Sequence, residues 1–238
     1  MRSKQIDLSN YDTDKIRNSY LDRYDSIFSP WIDKELTLLE LGVYKGGSLQ
    51  LWRDYFPRAR IVGVDLKIPA NRDLGDRISL FQGDQKDIKF LSDMSKKAAP
   101  KGFDIIIDDA SHIGLSTRIT FWHLFDNHLK PGGLYVIEDW GTGYWDDWID
   151  GKSFRPRARL FAETWHRIQT KWRLFKRIPI KFSIRSHDYG MVGFIKELVD
   201  EQGAADLTRK TIRGRPGRQS KFESLLITPS IVFVHKVK

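Results

Sequence analysis

The amino-acid sequence predicts an α/β fold: a doubly wound, mostly parallel sheet closed by a C-terminal antiparallel hairpin, with a basic helical insertion after the fifth strand. Three observations carry this expectation. Short, nearly continuous apolar runs (LTLLEL, IIID, LYVI) recur in the first 150 residues, as in strands buried on both faces. Helical patterns lie between them, which is how successive parallel strands are joined. The chain then ends in two strand-like stretches split at Pro229-Ser230.

Taken in order, Asp12–Phe28 is expected to be a helix, because Tyr20, Tyr24 and Phe28 share one face at i, i+4 and i+8. Strands are expected at Glu35–Leu41, Arg60–Leu66, Arg77–Gln82, Phe103–Asp108 and Leu134–Glu138, the last preceded by a Pro131-Gly132-Gly133 turn. Helices are expected at Gly47–Tyr55, Gln85–Lys97 and Ser116–Asn127, where Phe121, Leu124 and Phe125 recur at helical spacing. After Asp150 the rhythm changes. Ala158–Arg177 carries an apolar stripe of Phe161, Trp165, Ile168, Trp172 and Phe175, with basic residues elsewhere on the cylinder. Ile178–Arg185 alternates as a half-buried strand does, and Pro179 suits an edge. Gly190–Glu201 is a helix candidate, 203–221 a glycine-rich basic loop, and Glu223–Lys238 the closing pair of strands. This gives a single domain, 1–238, built from a helical cap (1–34), a core (35–150), a basic insertion (151–221) and a hairpin (222–238).

With 238 residues, 40% of them hydrophobic, the chain suffices for one packed core. No apolar run approaches the ~18 residues of a membrane span, and the start, MRSKQIDLSN, has no apolar targeting core. The absence of cysteine excludes a disulfide framework, a thiolate metal site and a thiol nucleophile, and fits a cytoplasmic setting. The formal charge of +9 is unevenly spread: residues 1–150 carry −4 and residues 151–238 carry +13. A slightly acidic first part is joined to a strongly basic second part.

Ligands in open α/β sheets bind at the carboxyl ends of the strands, so the strand ends are where chemistry is sought. The first strand runs into Glu40-Leu41-Gly42-Val43-Tyr44-Lys45-Gly46-Gly47-Ser48, whose glycines admit close backbone approach ahead of a helix N-terminus. Asp65 ends the second strand, 23 residues after Gly42, where an acid can accept the ribose hydroxyls of an adenosine ligand. Gly83-Asp84-Gln85 follows the third strand, with side chains suited to an adenine edge. The fourth strand ends Asp108-Asp109-Ala110-Ser111-His112 and the fifth Glu138-Asp139-Trp140. Several carboxylates and one imidazole thus meet at one edge, a hard-ligand set suited to Mg²⁺. Beside such acids His112 is a candidate general base. The aromatic run WGTGYWDDW, with Trp140, Tyr144 and Trp145, is either a sugar-stacking or lid element or packing beneath the insertion.

These stretches resemble the class I S-adenosylmethionine-dependent methyltransferases, which have Rossmann-like folds, and within them the metal-dependent macrocin- and mycinamicin-type sugar O-methyltransferases and the rhamnosyl O-methyltransferases. The resemblance rests on Thr13-Asp14-Lys15 with Tyr20 and Tyr24, ELGVYKGGS, Val64-Asp65, Gly83-Asp84, IIIDDASH, LKPGGLYVIEDW, Thr142-Gly143-Tyr144-Trp145 and SIVFVHK. It implies Asp109, Glu138 and Asp139 as Mg²⁺ ligands and His112 as the base. It implies Asp65 on the ribose, with Glu40, Gly42, Tyr44, Gly46 and Ser48 in the loop holding the methionine part of S-adenosylmethionine. Lys15, Tyr20, Asp84, Gln85 and Asp108 complete the implied cofactor set.

The activity so expected is transfer of a methyl group to a hydroxyl of a sugar or glycosylated small molecule. The basic second part suits an acidic or phosphorylated glycoside. Two other readings stay open: an RNA methyltransferase using residues 151–221, and a non-catalytic module whose apolar stripe serves a homo-oligomer or an anionic surface. A nicotinamide dehydrogenase is disfavoured, because G-x-G-x-x-G is missing.

Overall fold

The structure is a computed structural model that describes residues 1–68, 74–153 and 189–238. Seven strands form one sheet: β1 Thr37–Leu41, β2 Arg60–Asp65, β3 Ile78–Gln82, β4 Phe103–Asp108, β5 Leu129–Glu138, β6 Phe222–Ile227 and β7 Ile231–Lys236. Their order is β3-β2-β1-β4-β5-β7-β6, with β7 antiparallel to both neighbours and every other pairing parallel. The chain direction across the sheet reverses between β1 and β4, and that is where a doubly wound sheet opens its crevice.

The helices are α1 Asp14–Arg17, α2 Leu21–Phe28, α3 Gly47–Tyr55, α4 Ile88–Ala98, α5 Gly114–Asn127, α6 Ile149–Ser153, α7 Gly190–Gln202 and α8 Ala204–Leu207. Because strand side chains alternate, each strand serves two cores. Leu39, Ile106, Tyr135 and Val234 point to the face covered by α4, α5 and α7. Leu38, Ile105, Val136 and Phe233 point to the face covered by α2 and α3. Both layers are closely packed: Tyr24, Phe28, Trp52 and Tyr55 form one aromatic cluster, and Phe121, Phe125, Tyr135 and Phe222 another.

The doubly wound sheet and its closing hairpin match the expectation, and the departures have local causes. The helix expected over 12–28 is two helices, because Ser19 adopts φ +55°. The Tyr20 N–H reaches the Lys15 carbonyl and the Ser19 N–H the Ile16 carbonyl, a left-handed helix end that re-aims the chain. The helix expected from Gln85 starts at Ile88, since the Asp87 carboxylate caps the Phe90 N–H. That leaves Asp84 and Gln85 in the loop. β5 begins at Leu129, so Pro131-Gly132-Gly133 lies within an irregular strand start. The 203–221 stretch contains the short helix α8. The helix expected at 158–177 and the strand at 178–185 lie outside the described residues.

Candidate active site

A cleft of about 820 Å³ opens at the carboxyl ends of β1, β2, β4 and β5, lined by Asp12, Gly42, Tyr44, Asp109, His112 and Asp139 among others. Beside it lies a slot of about 300 Å³ lined by Val64, Asp84, Gln85, Ser111 and Ile113. Gly42, Asp65, Leu66 and Ala110 border both. A ligand could therefore lie with one end in the apolar slot and the other among the carboxylates.

The loop after β1 is shaped by Gly42, which has φ +93°; a Cβ there would lie 2.1 Å from the Asp109 carbonyl oxygen. Only glycine lets the β1 and β4 ends approach this closely. Asp65 Oδ2 accepts the Val43 and Tyr44 N–H groups at 2.7 and 3.0 Å, and Oδ1 that of Lys67 at 3.0 Å. Burial opposes ionisation of Asp65, yet these backbone donors outweigh it and hold the carboxyl below its usual range. In the slot, the Ser111 N–H donates to Gln85 Oε1 at 3.1 Å, tying the β3 and β4 ends together.

Asp109, His112 and Asp139 each present one ligand atom within 4.8 Å of the others. His112 Nε2 lies 3.7 Å from Asp109 Oδ1 and 3.9 Å from Asp139 Oδ2. His112 and Asp139 sit at φ +48° and +53°, left-handed backbone that persists where surrounding contacts over-determine it. Two carboxylates converging on a solvent-reached cleft fit a divalent cation with positions left open for a substrate oxygen, and the imidazole beside them fits a proton acceptor.

Behind this trio lies a buried charge network. Lys15, with no exposed surface, places Nζ 2.6 Å from Asp109 Oδ2, 2.9 Å from Glu138 Oε2 and 3.3 Å from Glu40 Oε1. Burial opposes its charge, but Asp109, Glu138 and Glu40 together push its pKa well above the usual lysine value. Glu138 also accepts the Tyr24 hydroxyl; burial, with Asp109 adding, drives its pKa upward against Lys15. Asp139 accepts the Tyr20 hydroxyl, and burial raises its pKa too.

The residues named from sequence therefore separate into two groups. Gly42, Tyr44, Ser48, Asp65, Asp109, His112 and Asp139 line the cleft, and Asp84 and Gln85 the slot. Lys15, Tyr20, Glu40, Asp108 and Glu138 stand behind these surfaces. Glu40 accepts from Ser48 Oγ and Trp52 Nε1. Asp108 is buried next to Gln85 and Tyr135, and burial pushes its pKa up to about 7. A Cβ on Gly46 would meet the Leu74 side chain at 3.1 Å, away from the ligand surfaces. In the aromatic loop, Trp140 packs on the α4–α5–α7 core and donates to the Thr228 carbonyl, while Trp145 is 54% exposed. Tyr144 is 48% exposed and meets the Trp140 ring.

Sequence reasoning missed the groups that grip His112 from behind: Thr142 Oγ1 and Trp148 Nε1 both donate to its carbonyl, at 3.3 and 3.1 Å. It missed Ser111 and Ile113 as well, the first inside the quoted motif and the second one residue beyond it.

No family model matches the chain. Over 129 residues the chain is 44% identical to mycinamicin VI 2''-O-methyltransferase of Micromonospora griseorubida, covering 51% of this chain and 31% of that protein. It is 40% identical to demethylmacrocin O-methyltransferase of Streptomyces fradiae, covering 51% and 32%. The MycE methyltransferase of mycinamycin biosynthesis, solved with Mg and SAH, superposes with a TM-score of 0.63 and 32% identity over 91% of this chain and 48% of that one. The chain has the Rossmann-like fold seen in this methyltransferase and is similar in sequence to these sugar O-methyltransferases. The matched stretch spans about a third of the length of these two curated relatives. Among the described residues, no helix is long and apolar enough to cross a membrane.

Proposed function

We propose that this chain transfers a methyl group from S-adenosylmethionine to a hydroxyl of a sugar carried on a small molecule, with help from a divalent cation, Mg²⁺ first among candidates. The observation that carries this reading is the convergence of Asp109, His112 and Asp139 beside the Asp65-edged slot. The relatives support it: their names specify O-methylation of mycinamicin VI and demethylmacrocin, and MycE is solved with Mg and SAH.

In this reading the slot takes the adenine between the Val64 and Ile113 sides, with Asp84 and Gln85 at its polar edge. Asp65, already held ionised by backbone donors, accepts the ribose hydroxyls. The loop from Gly42 to Ser48 cradles the amino-acid end, with Glu40 fixing Ser48 from below. Asp109 and Asp139 hold the cation, which when bound supplies Lewis acidity to an acceptor hydroxyl. Glu138 has its oxygens engaged by Lys15 and Tyr24 and serves from behind, keeping Lys15 against Asp109. His112 Nε2 takes the hydroxyl proton, and Asp109 and Asp139 stabilise the resulting imidazolium. The freed oxygen lone pair forms the bond to the methyl carbon as the carbon–sulfur bond breaks, its electron pair leaving with sulfur. Because that methyl is activated beforehand, alignment of oxygen, carbon and sulfur contributes much of the acceleration.

The basic residues after Asp150 give the acceptor preference: a phosphorylated or otherwise acidic glycoside over a neutral one. The test is methyl transfer to paired neutral and phosphorylated glycosides, with and without chelator, by wild type and His112→Ala. Chelator-sensitive transfer that His112→Ala abolishes supports the reading. Undiminished transfer by the chelated variant contradicts it.

A further inference from the structure

Asp150 is 2% exposed and belongs to no ligand-lining surface, yet its carboxylate joins the starts of two helices. Its Oδ2 accepts two backbone N–H groups, Gly114 at 2.7 Å and Met191 at 2.8 Å. These belong to the first turns of α5 and α7, so the positive ends of two long helices converge on one carboxylate oxygen. The junction is built tightly. A Cβ on Gly114 would lie 2.1 Å from the Gly190 carbonyl carbon, and one on Gly190 would lie 2.4 Å from Asp150 Cγ. No side chain larger than hydrogen fits at either position without moving backbone or the carboxylate.

Gly114 is two residues beyond His112. The His112 carbonyl is held by Thr142 Oγ1 and Trp148 Nε1, and its ring lies 6.0 Å from the Trp148 ring. The short stretch 142–150 therefore grips the His112 loop at two points, the carbonyl of His112 and the N–H of Gly114. His112 itself, just ahead of the first point, sits at φ +48°, a left-handed conformation that costs about 1 kcal/mol or more to hold. The same Asp150 oxygen, carried on α6, ties that helix to α7.

We propose that Asp150 is a positioning residue for His112: by pinning the first turns of α5 and α7 to one carboxylate oxygen, with Trp148 and Thr142 on the His112 carbonyl, it fixes the imidazole against Asp109 and Asp139. The inference rests on the methyltransferase reading for its kinetic consequence, but the orientation of His112 can be measured without turnover.

The test compares Asp150→Ala and Asp150→Asn with Glu201→Ala, which breaks the ion pair to Arg218 at the far end of α7 and matches the loss of packing without touching the junction. Two readouts are taken: kcat alongside S-adenosylhomocysteine affinity, and the rate at which diethyl pyrocarbonate modifies His112, followed by peptide mass spectrometry. Asp150→Ala should lower kcat roughly tenfold to a hundredfold with affinity kept within about twofold. It should also speed His112 modification at least about threefold, as the loop loosens. Asp150→Asn, whose amide oxygen can accept the same two N–H groups, should restore both, and Glu201→Ala should change neither. If Asp150→Ala fails to fold, Trp148→Phe, which removes only the donor to the His112 carbonyl, should accelerate modification in the same direction. Unchanged His112 reactivity in both Asp150→Ala and Trp148→Phe overturns the proposal, as does equal acceleration by Glu201→Ala. If the wild type transfers no methyl at all, the proposed function falls, while the modification rates still decide the role of Asp150.

Discussion

Replacing Lys15 by methionine removes a fully buried ammonium from three carboxylates, Asp109, Glu138 and Glu40, at 2.6, 2.9 and 3.3 Å. Methionine fills a similar volume, so the change is chiefly one of charge. Breaking a buried pair by deleting one partner costs about 3–5 kcal/mol, because the charge left behind has neither water nor counter-ion. For a domain of this size each kcal/mol moves the melting temperature by about 2–4 °C, so Lys15→Met should melt roughly 6–20 °C lower at pH 8. The loss should be smaller at pH 5. Burial raises the Glu138 and Glu40 carboxyls above their usual values; such groups stabilise the fold below the unfolded-state value, and that stabilisation is lost as pH rises through the folded one. Without Lys15 both values rise further. Adding Glu138→Gln should recover about 1 kcal/mol or more of the loss, the signature of coupled neighbours. Thermal melts of wild type, Lys15→Met, Glu138→Gln and the double variant at pH 5 and 8 measure all of this. A Lys15→Met variant melting within about 2 °C of wild type at pH 8 would refute the reasoning.

Other expectations are briefer. Asp108, pushed up to about 7 by burial, destabilises the fold as pH climbs toward 7; Asp108→Asn should gain up to about 4 kcal/mol at pH 8 and little at pH 4, and parallel melting curves across that range would contradict it. In titration calorimetry with Mg²⁺, Asp139→Asn should weaken binding at least about tenfold and Glu138→Gln less, since Glu138 is engaged by Lys15 and Tyr24; the reverse order would move Glu138 into the ligand set. Tyr44 is 77% exposed at the cleft with φ +47°; Tyr44→Gly should raise the melting temperature by about 2–4 °C while raising the S-adenosylmethionine KM, and a lower melting temperature would remove the claim of strain.

The central strands were legible because they are buried on both faces and bounded by turn residues: IIID can scarcely be anything but a central strand, and it is one, flanked by β1 and β5. Their carboxyl ends could be named for the same reason, which is why Asp65, Asp109, His112 and Asp139 were found together in one cleft. What stayed hidden depends on pairings between distant positions. Lys15 stands in a motif and is implied as a cofactor contact, but nothing in the motif tells that its side chain meets partners 94 and 123 residues away. Asp150 sits in a run of acids, DDWID, that gives no hint of two helix ends arriving from residues 114 and 191. Glu138 and Asp139 are adjacent and chemically alike, yet the strand places one behind the site and the left-handed turn at Asp139 places the other in it.

The central claim is that Asp109, His112 and Asp139 form a cation-assisted site for moving a methyl group onto a hydroxyl. Its most direct measurement is transfer of a labelled methyl group from S-adenosylmethionine to a glycoside panel, run with Mg²⁺ and with chelator, by wild type and His112→Ala. Transfer should need the cation, be restored when Mg²⁺ is returned, and be lost in His112→Ala although S-adenosylhomocysteine still binds. Transfer that proceeds equally well with chelator and in His112→Ala would contradict it.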